Sequence, residues 1–211
     1  MLRRRTRGHG APRAPLPTLR AGKKDMPRRA IGLLLSGCFL TSAAAAQDVK
    51  LAEILPDTPG ARACFARSYD AEHMRAHPQQ RVAGVTFLMR VVGFDDKGEW
   101  VLKPDGKYKY TRYHFAIRFA RRDGKRAQTT SGECQQGENG SSCYVECDGG
   151  GFGLEKSSDG LLLRLAQDGI RIDDCDEKDV RLKPGSDDKA FRVEKVAQAQ
   201  CSALERESFG E

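Results

Sequence analysis

The chain has 211 residues, with 36 Lys+Arg against 29 Asp+Glu and a formal net charge of +7. A hydrophobic fraction of 39% beside 31% charged residues suits a soluble globular protein rather than a multi-span membrane protein, and the length asks for no more than one domain. Residues 1–46 hold ten of the basic residues and one acid, leaving 26 basic and 28 acidic residues in 47–211, a net of −2. The basic excess belongs to the leader and gives no ground for a nucleic-acid partner.

Residues 1–25 are rich in Arg, Pro and Gly without apolar periodicity, and read as disordered sequence upstream of the true start at Met26. Residues 26–46 have the three parts of a secretory signal: Arg28 and Arg29, an apolar stretch from Ala30 to Leu40, then Ala44-Ala45-Ala46. The apolar stretch falls well short of the ~20 residues of a spanning helix, so a processed signal peptide is expected. Cleavage after Ala46 gives a periplasmic or secreted chain with no transmembrane span. Leu35-Ser36-Gly37-Cys38 also matches a bacterial lipobox, and lipidation of Cys38 is the alternative.

Residues 47–58 read as a flexible N-terminus. Pro59 and Ala61–Arg67 suggest a short helix, and Asp70 is a good N-cap for a second helix over Ala71–Arg75 that Pro78 ends. His73 and His77 would share a face of that helix, beside Glu72. The order Glu-His-x-x-x-His is not that of a zinc protease and no third ligand is evident, so no metal is expected.

From Val82 to Val196 the pattern changes to short alternating segments punctuated by turn pairs. Tyr113-His-Phe115-Ala-Ile117-Arg-Phe119 and Val85-Thr-Phe87-Leu-Met89-Arg-Val91 are the clearest. Asp-Gly at 105–106, 123–124, 148–149, 159–160 and 168–169, and Asn139-Gly140, suit tight turns. About nine strands so closely spaced must pair antiparallel. The expected fold is all-β: a closed or partly open up-and-down barrel, or a sandwich, with a short N-terminal helical segment, as one disulfide-bonded domain over 59–202. Residues 203–211 read as a flexible C-terminus.

Six cysteines follow the leader: Cys64, Cys134, Cys143, Cys147, Cys175 and Cys201. An even count in an exported chain points to three disulfides. Cys143 to Cys147 reads as strand, rising about 13 Å, too far for the two to bond. Cys134 and Cys143 flank a polar glycine-containing loop, and Cys147–Cys175 with Cys64–Cys201 completes the simplest set.

Chemistry-bearing groups are sparse. Trp100, Tyr108, Tyr110 and Tyr113 are the candidate ligand contacts, as a stacking surface for sugars or another apolar ligand. Arg112, His114, Arg118, Arg121 and Arg122 offer a basic strand face. Asp173, Asp174, Asp176, Glu177 and Asp179 lack the calcium-loop register, and Gly149–Gly153 does not open onto a helix as a phosphate loop must. There is no Gly-x-Ser-x-Gly elbow and six paired cysteines leave no thiol, so no catalytic residue and no cofactor are assigned. The sequence fits a non-catalytic binding or accessory protein of the cell envelope, with an unknown envelope ligand or protein as partner. The alternatives are the Cys38-anchored lipoprotein and a hydrolase of envelope polymers whose carboxylates converge from separate strands.

Overall fold

The computed structural model describes residues 47–172 and 180–210, which belong to one compact unit spanning Ala43–Glu211. The expected leader, Cys38, Cys175 and the acidic run at 173–179 lie outside the described residues. Eleven strands, all antiparallel to their neighbours, form one sheet: β1 Gln47–Asp48, β2 Arg62–Ser68, β3 Val82–Phe94, β4 Trp100–Val101, β5 Tyr110–Arg121, β6 Gln128–Gly137, β7 Gly140–Tyr144, β8 Gly150–Ser157, β9 Gly160–Arg171, β10 Arg181–Leu182 and β11 Ala190–Val196. Eight of them close a barrel in chain order, β2-β3-β5-β6-β7-β8-β9-β11, and β11 returns to pair with β2 through Glu194–Val196 against Cys64–Ala66. Closure removes the two edges that an open meander would expose. Short strands β1, β4 and β10 extend the wall at its rims.

Ala61–Arg67, expected to be helical, is instead mostly strand β2. Ala63 and Phe65 point into the core while Cys64 faces outward, a period of two rather than 3.6, and hydrogen bonding on both sides outweighs the helix preference of alanine. The second helix forms as expected, α2 Ala71–Ala76, with the Asp70 carboxylate accepting from His73 N at 2.7 Å. Asp168-Gly169 does not connect strands. It bends β9, Gly169 adopting φ +78° where β8 and β9 lose register between Gly150 and Phe152.

The barrel interior is filled by side chains. Phe87 lies 6.0, 6.2 and 5.7 Å from the rings of Phe65, Phe115 and Phe152, and Phe115 meets Phe152 edge-on at 5.2 Å. Val91, Ile117, Leu154, Leu163, Leu165 and Val193 complete the same cluster.

Both segments expected to fray are folded against the barrel. At one mouth α1, Leu51–Ile54, buries Leu51 in the core, and the flanking Val49 and Leu55 join it there. It is pinned by Leu51 N donating to Gln136 Oε1 at 3.1 Å, Tyr113 Oη to Leu55 O at 3.2 Å and Ser141 Oγ to Val49 O. At the other mouth the fully buried Asp188 accepts from Arg81 N and Nε, both at 3.0 Å, and from Val82 N at 3.4 Å. A 3-10 turn, Gln198–Cys201, leads into α3, Ser202–Phe209, which Gly210 ends in the left-handed conformation. Helix α3 lies on the outside of β3, β5 and β6, where Leu204 completes a second small core with Cys64, Leu88, Ala116 and Cys201. The apolar outer residues of β2, β3 and β5 give the helix something to cover.

Cys64 bonds Cys201 and clamps α3 to β2; Cys134 bonds Cys143 across directly opposed positions of β6 and β7. The segment between Cys134 and Cys143 is a hairpin rather than a free loop, and the strand expected through Cys147 stops at Tyr144. Cys147 is also disulfide-bonded and sits with φ +57° in the turn that opens β8.

Candidate recognition surface

Alternation along β5 sends Tyr113, Phe115, Ile117 and Phe119 toward the core and Tyr110, Arg112 and His114 outward. Three aromatic side chains at this rim are exposed, Trp100 by 51%, Tyr108 by 43% and Tyr110 by 42%. Tyr113 does not join them, since its hydroxyl is spent on Leu55 at the barrel mouth. Phe94, from the end of β3, supports the group from beneath: it stacks on Tyr110 at 5.1 Å with planes 9° apart and meets Trp100 edge-on at 6.4 Å. The Arg112 guanidinium lies 5.3 Å from the Phe94 ring and 5.6 Å from that of Tyr110.

A polar network continues the surface across β6 and β7. Arg112 Nη1 donates to both Glu133 oxygens, at 3.0 and 3.4 Å. Tyr144 Oη donates to Glu133 Oε2 at 3.2 Å, and Gln135 Nε2 donates to Tyr144 Oη at 2.6 Å. Glu133 raises the pKa of Arg112, while burial, helped by Glu133, raises that of Tyr144. His114 faces Glu133 across the strands, its Nε2 3.8 Å from the carboxylate, and packs 5.4 Å from Trp100. Burial pushes its pKa below the ordinary value against the pull of Glu133, which favours the neutral imidazole.

Glu133 lines two clefts. One, about 610 Å³, runs past Arg112, Gln135 and Tyr144 to Lys50 and Asp57 near α1. The other, about 700 Å³, is bounded by Trp100 and His114, by Thr129–Glu133 of β6, by Val145, Glu146 and Ile172, and by Glu207–Phe209 of α3. Together they flank a ridge of fixed hydrogen-bonding groups with an aromatic shelf at its rim. That arrangement stacks flat apolar surface and presents donors and acceptors whose geometry is set before a ligand arrives.

The arginines noted on β5 and just after it are paired within the protein. Arg112 pairs with Glu133, Arg118 with Glu207 and Arg121 with Asp123, while Arg122 donates to the carbonyls of His77, Pro78 and Gln80. His73 and His77 stack in a column with Tyr69, at 4.6 and 4.4 Å, and His73 Nε2 lies 2.9 Å from Gln80 Oε1. Among the described residues no three His, Cys, Asp or Glu side chains gather as metal ligands. Phe94, Glu133, Tyr144 and the α3 residues were not singled out from the sequence, because only strand register and the helix bring them beside Trp100.

No protein-family model matches the chain, and no curated protein or solved structure matches it either.

Proposed function

We propose that the chain is an exported, disulfide-stapled β-barrel that binds a ligand or partner of the cell envelope on its outer wall, around β4–β7, without catalysing a reaction. The observation that carries this reading is the exposed shelf of Trp100, Tyr108 and Tyr110 beside a pre-set polar network, on a barrel whose interior is filled by phenylalanines. A mouth-binding barrel would need an open interior, so recognition belongs outside. Export is supported by the signal-like leader and by disulfides that persist in oxidising compartments. No helix among the described residues is long and apolar enough to cross a membrane.

The carboxylates that a hydrolase would need do converge, Glu133, Glu146 and Glu207 lining one cleft. Two of them are committed to arginines, Arg112 and Arg118, whereas acid–base hydrolysis of a glycosidic bond uses two carboxyl groups available to the substrate. This favours binding over turnover.

Trp100 is the single tryptophan, so its emission reports on the surface directly. Titration with soluble cell-wall saccharides and with extended peptides is expected to shift that emission with at least one class, and Trp100→Ala is expected to abolish retention on the corresponding matrix. An emission unmoved by every ligand, with retention equal in the variant, would overturn the reading.

A further inference from the structure

Strand β6 has two different neighbourhoods. At Glu133 and Cys134 it lies between β5 and β7, and Gln135–Gly137 pair with β7; from Gln128 to Gly132, β5 is its only strand partner among the described residues. The cause is the abrupt end of β7. After Tyr144 the chain turns back on itself, Val145 N bonding Gly150 O and Gly149 N bonding Val145 O, through positive φ at Cys147 and Asp148. Cys147 in that turn is disulfide-bonded, and β7 ends at Tyr144 without reaching the rest of β6.

Register says which backbone groups are left facing the gap. Cys134 and Cys143 are directly opposed with Cα atoms 3.9 Å apart, the narrow, non-hydrogen-bonded type of antiparallel pair. Glu133 and Tyr144 are then a hydrogen-bonded pair. By the period of two, the N–H and C=O groups of Thr129 and Ser131 point the same way as those of Glu133, into the cleft, while those of Thr130 and Gly132 serve β5. The segment Gln128-Thr-Thr-Ser-Gly132 carries no proline and no charge, the devices by which natural edge strands are protected, and it is only half-buried. Five residues of strand give an edge about 16 Å long.

The walls of the cleft define what fits there. Toward the core lie Val145 and Ile172; toward solvent lie Trp100, Phe209, Glu146 and Glu207, with no Lys or Arg among the lining residues. The geometry points to strand addition at this edge: an extended polypeptide segment of a partner protein pairs with the backbone of Thr129 and Ser131, its apolar side chains against Val145 and Ile172 and its alternate basic side chains toward Glu146, Glu207 being held by Arg118. This narrows the partner of the outer wall to a polypeptide and rests on the reading of that wall as the recognition surface.

The probe is a blocked seven-residue peptide alternating valine and lysine, added to the oxidised chain. A valine–glutamate peptide and a backbone N-methylated valine–lysine peptide are the controls. Amide exchange at Thr129 and Ser131 is expected to slow by about tenfold when the peptide stands at about ten times its Kd. Thr130 and Gly132, already bonded to β5, should be unchanged, and neither control should protect any of the four. Equal binding of the N-methylated peptide overturns strand addition. So does a Trp100 response to peptide or saccharide with no added protection at Thr129 and Ser131, an outcome that leaves the outer-wall reading standing; absence of both responses removes both.

Discussion

The guanidinium carbon of Arg90 lies 3.6 Å from the ring centroid of Phe209, and the same guanidinium is 5.1 Å from the ring of Trp100. A fully buried arginine on the outer face of β3 thus joins the last turn of α3 to the exposed aromatic shelf. With Cys64–Cys201 at the other end, the helix is fastened at both ends and forms one bank of the cleft. Phe209→Ala should cost about 1–2 kcal/mol in chemical denaturation, the scale of a desolvated cation–π contact plus lost packing. It should also shift Trp100 emission to the red as water reaches the indole.

The two disulfides closed between described residues differ in the chain they span, 137 residues for Cys64–Cys201 and 9 for Cys134–Cys143. Loop-closure entropy makes the first worth about 5 kcal/mol and the second about 2.5 kcal/mol. Paired alanine substitutions at each bridge, compared by urea unfolding of the oxidised chains, should reproduce that order. An equal loss at both sites would show that strain or packing, rather than chain restriction, governs them.

Asp188 is expected to be among the most sensitive polar positions. Its carboxylate serves two backbone amides at the start of β3 and the Arg81 side chain while having no exposed surface. Asp188→Ala leaves those amides unsatisfied at the rim, a loss of about 2–4 kcal/mol. Asp188→Asn retains an acceptor oxygen and should fall between the two in thermal unfolding.

Stability should decline with acid through His114. Its folded pKa lies below the ordinary value because the ring is buried. The unfolded chain takes up the proton near pH ~6.5, the folded chain only at lower pH, so stability is retained above about 6.5 and falls as pH drops from there toward the folded value. Denaturation midpoints measured across that window should fall more steeply for the natural chain than for His114→Phe. A parallel pair of curves would remove His114 as the cause.

Proline scanning tests the orientation of β6. Ser131→Pro removes a donor that faces the cleft and should leave the barrel folded, with near-native circular dichroism. Thr130→Pro removes a bond to β5 and should unfold it, because proline is tolerated only where the strand's N–H faces outward.

Much of the barrel was readable in advance because tight turns and period-two alternation are local signals. The pairs at 123–124, 139–140 and 159–160 each sit at a reversal between consecutive strands. Segments whose conformation is set from a distance were misread. Arg62–Ser68 becomes a strand because β3 and β11 pair with it from either side, and α3 is held by a cysteine 137 positions away. The aromatic shelf was half visible: Trp100, Tyr108 and Tyr110 were named, but Tyr113 falls on the opposite parity of β5. Glu133 and Tyr144 could be found only once the register of β5, β6 and β7 was known.

The first and last long strands of the meander are hydrogen-bonded neighbours, and the sulfur clasp at Cys64 takes its partner from beyond the last of them. A chain emerging from a ribosome therefore cannot close its barrel until β11 is out. Until residues near 200 are free, both β2 and β9 would offer raw margins to any passing strand. Completion is a single late event, and a chain cut short anywhere before β11 would sooner assemble with its copies than stand alone.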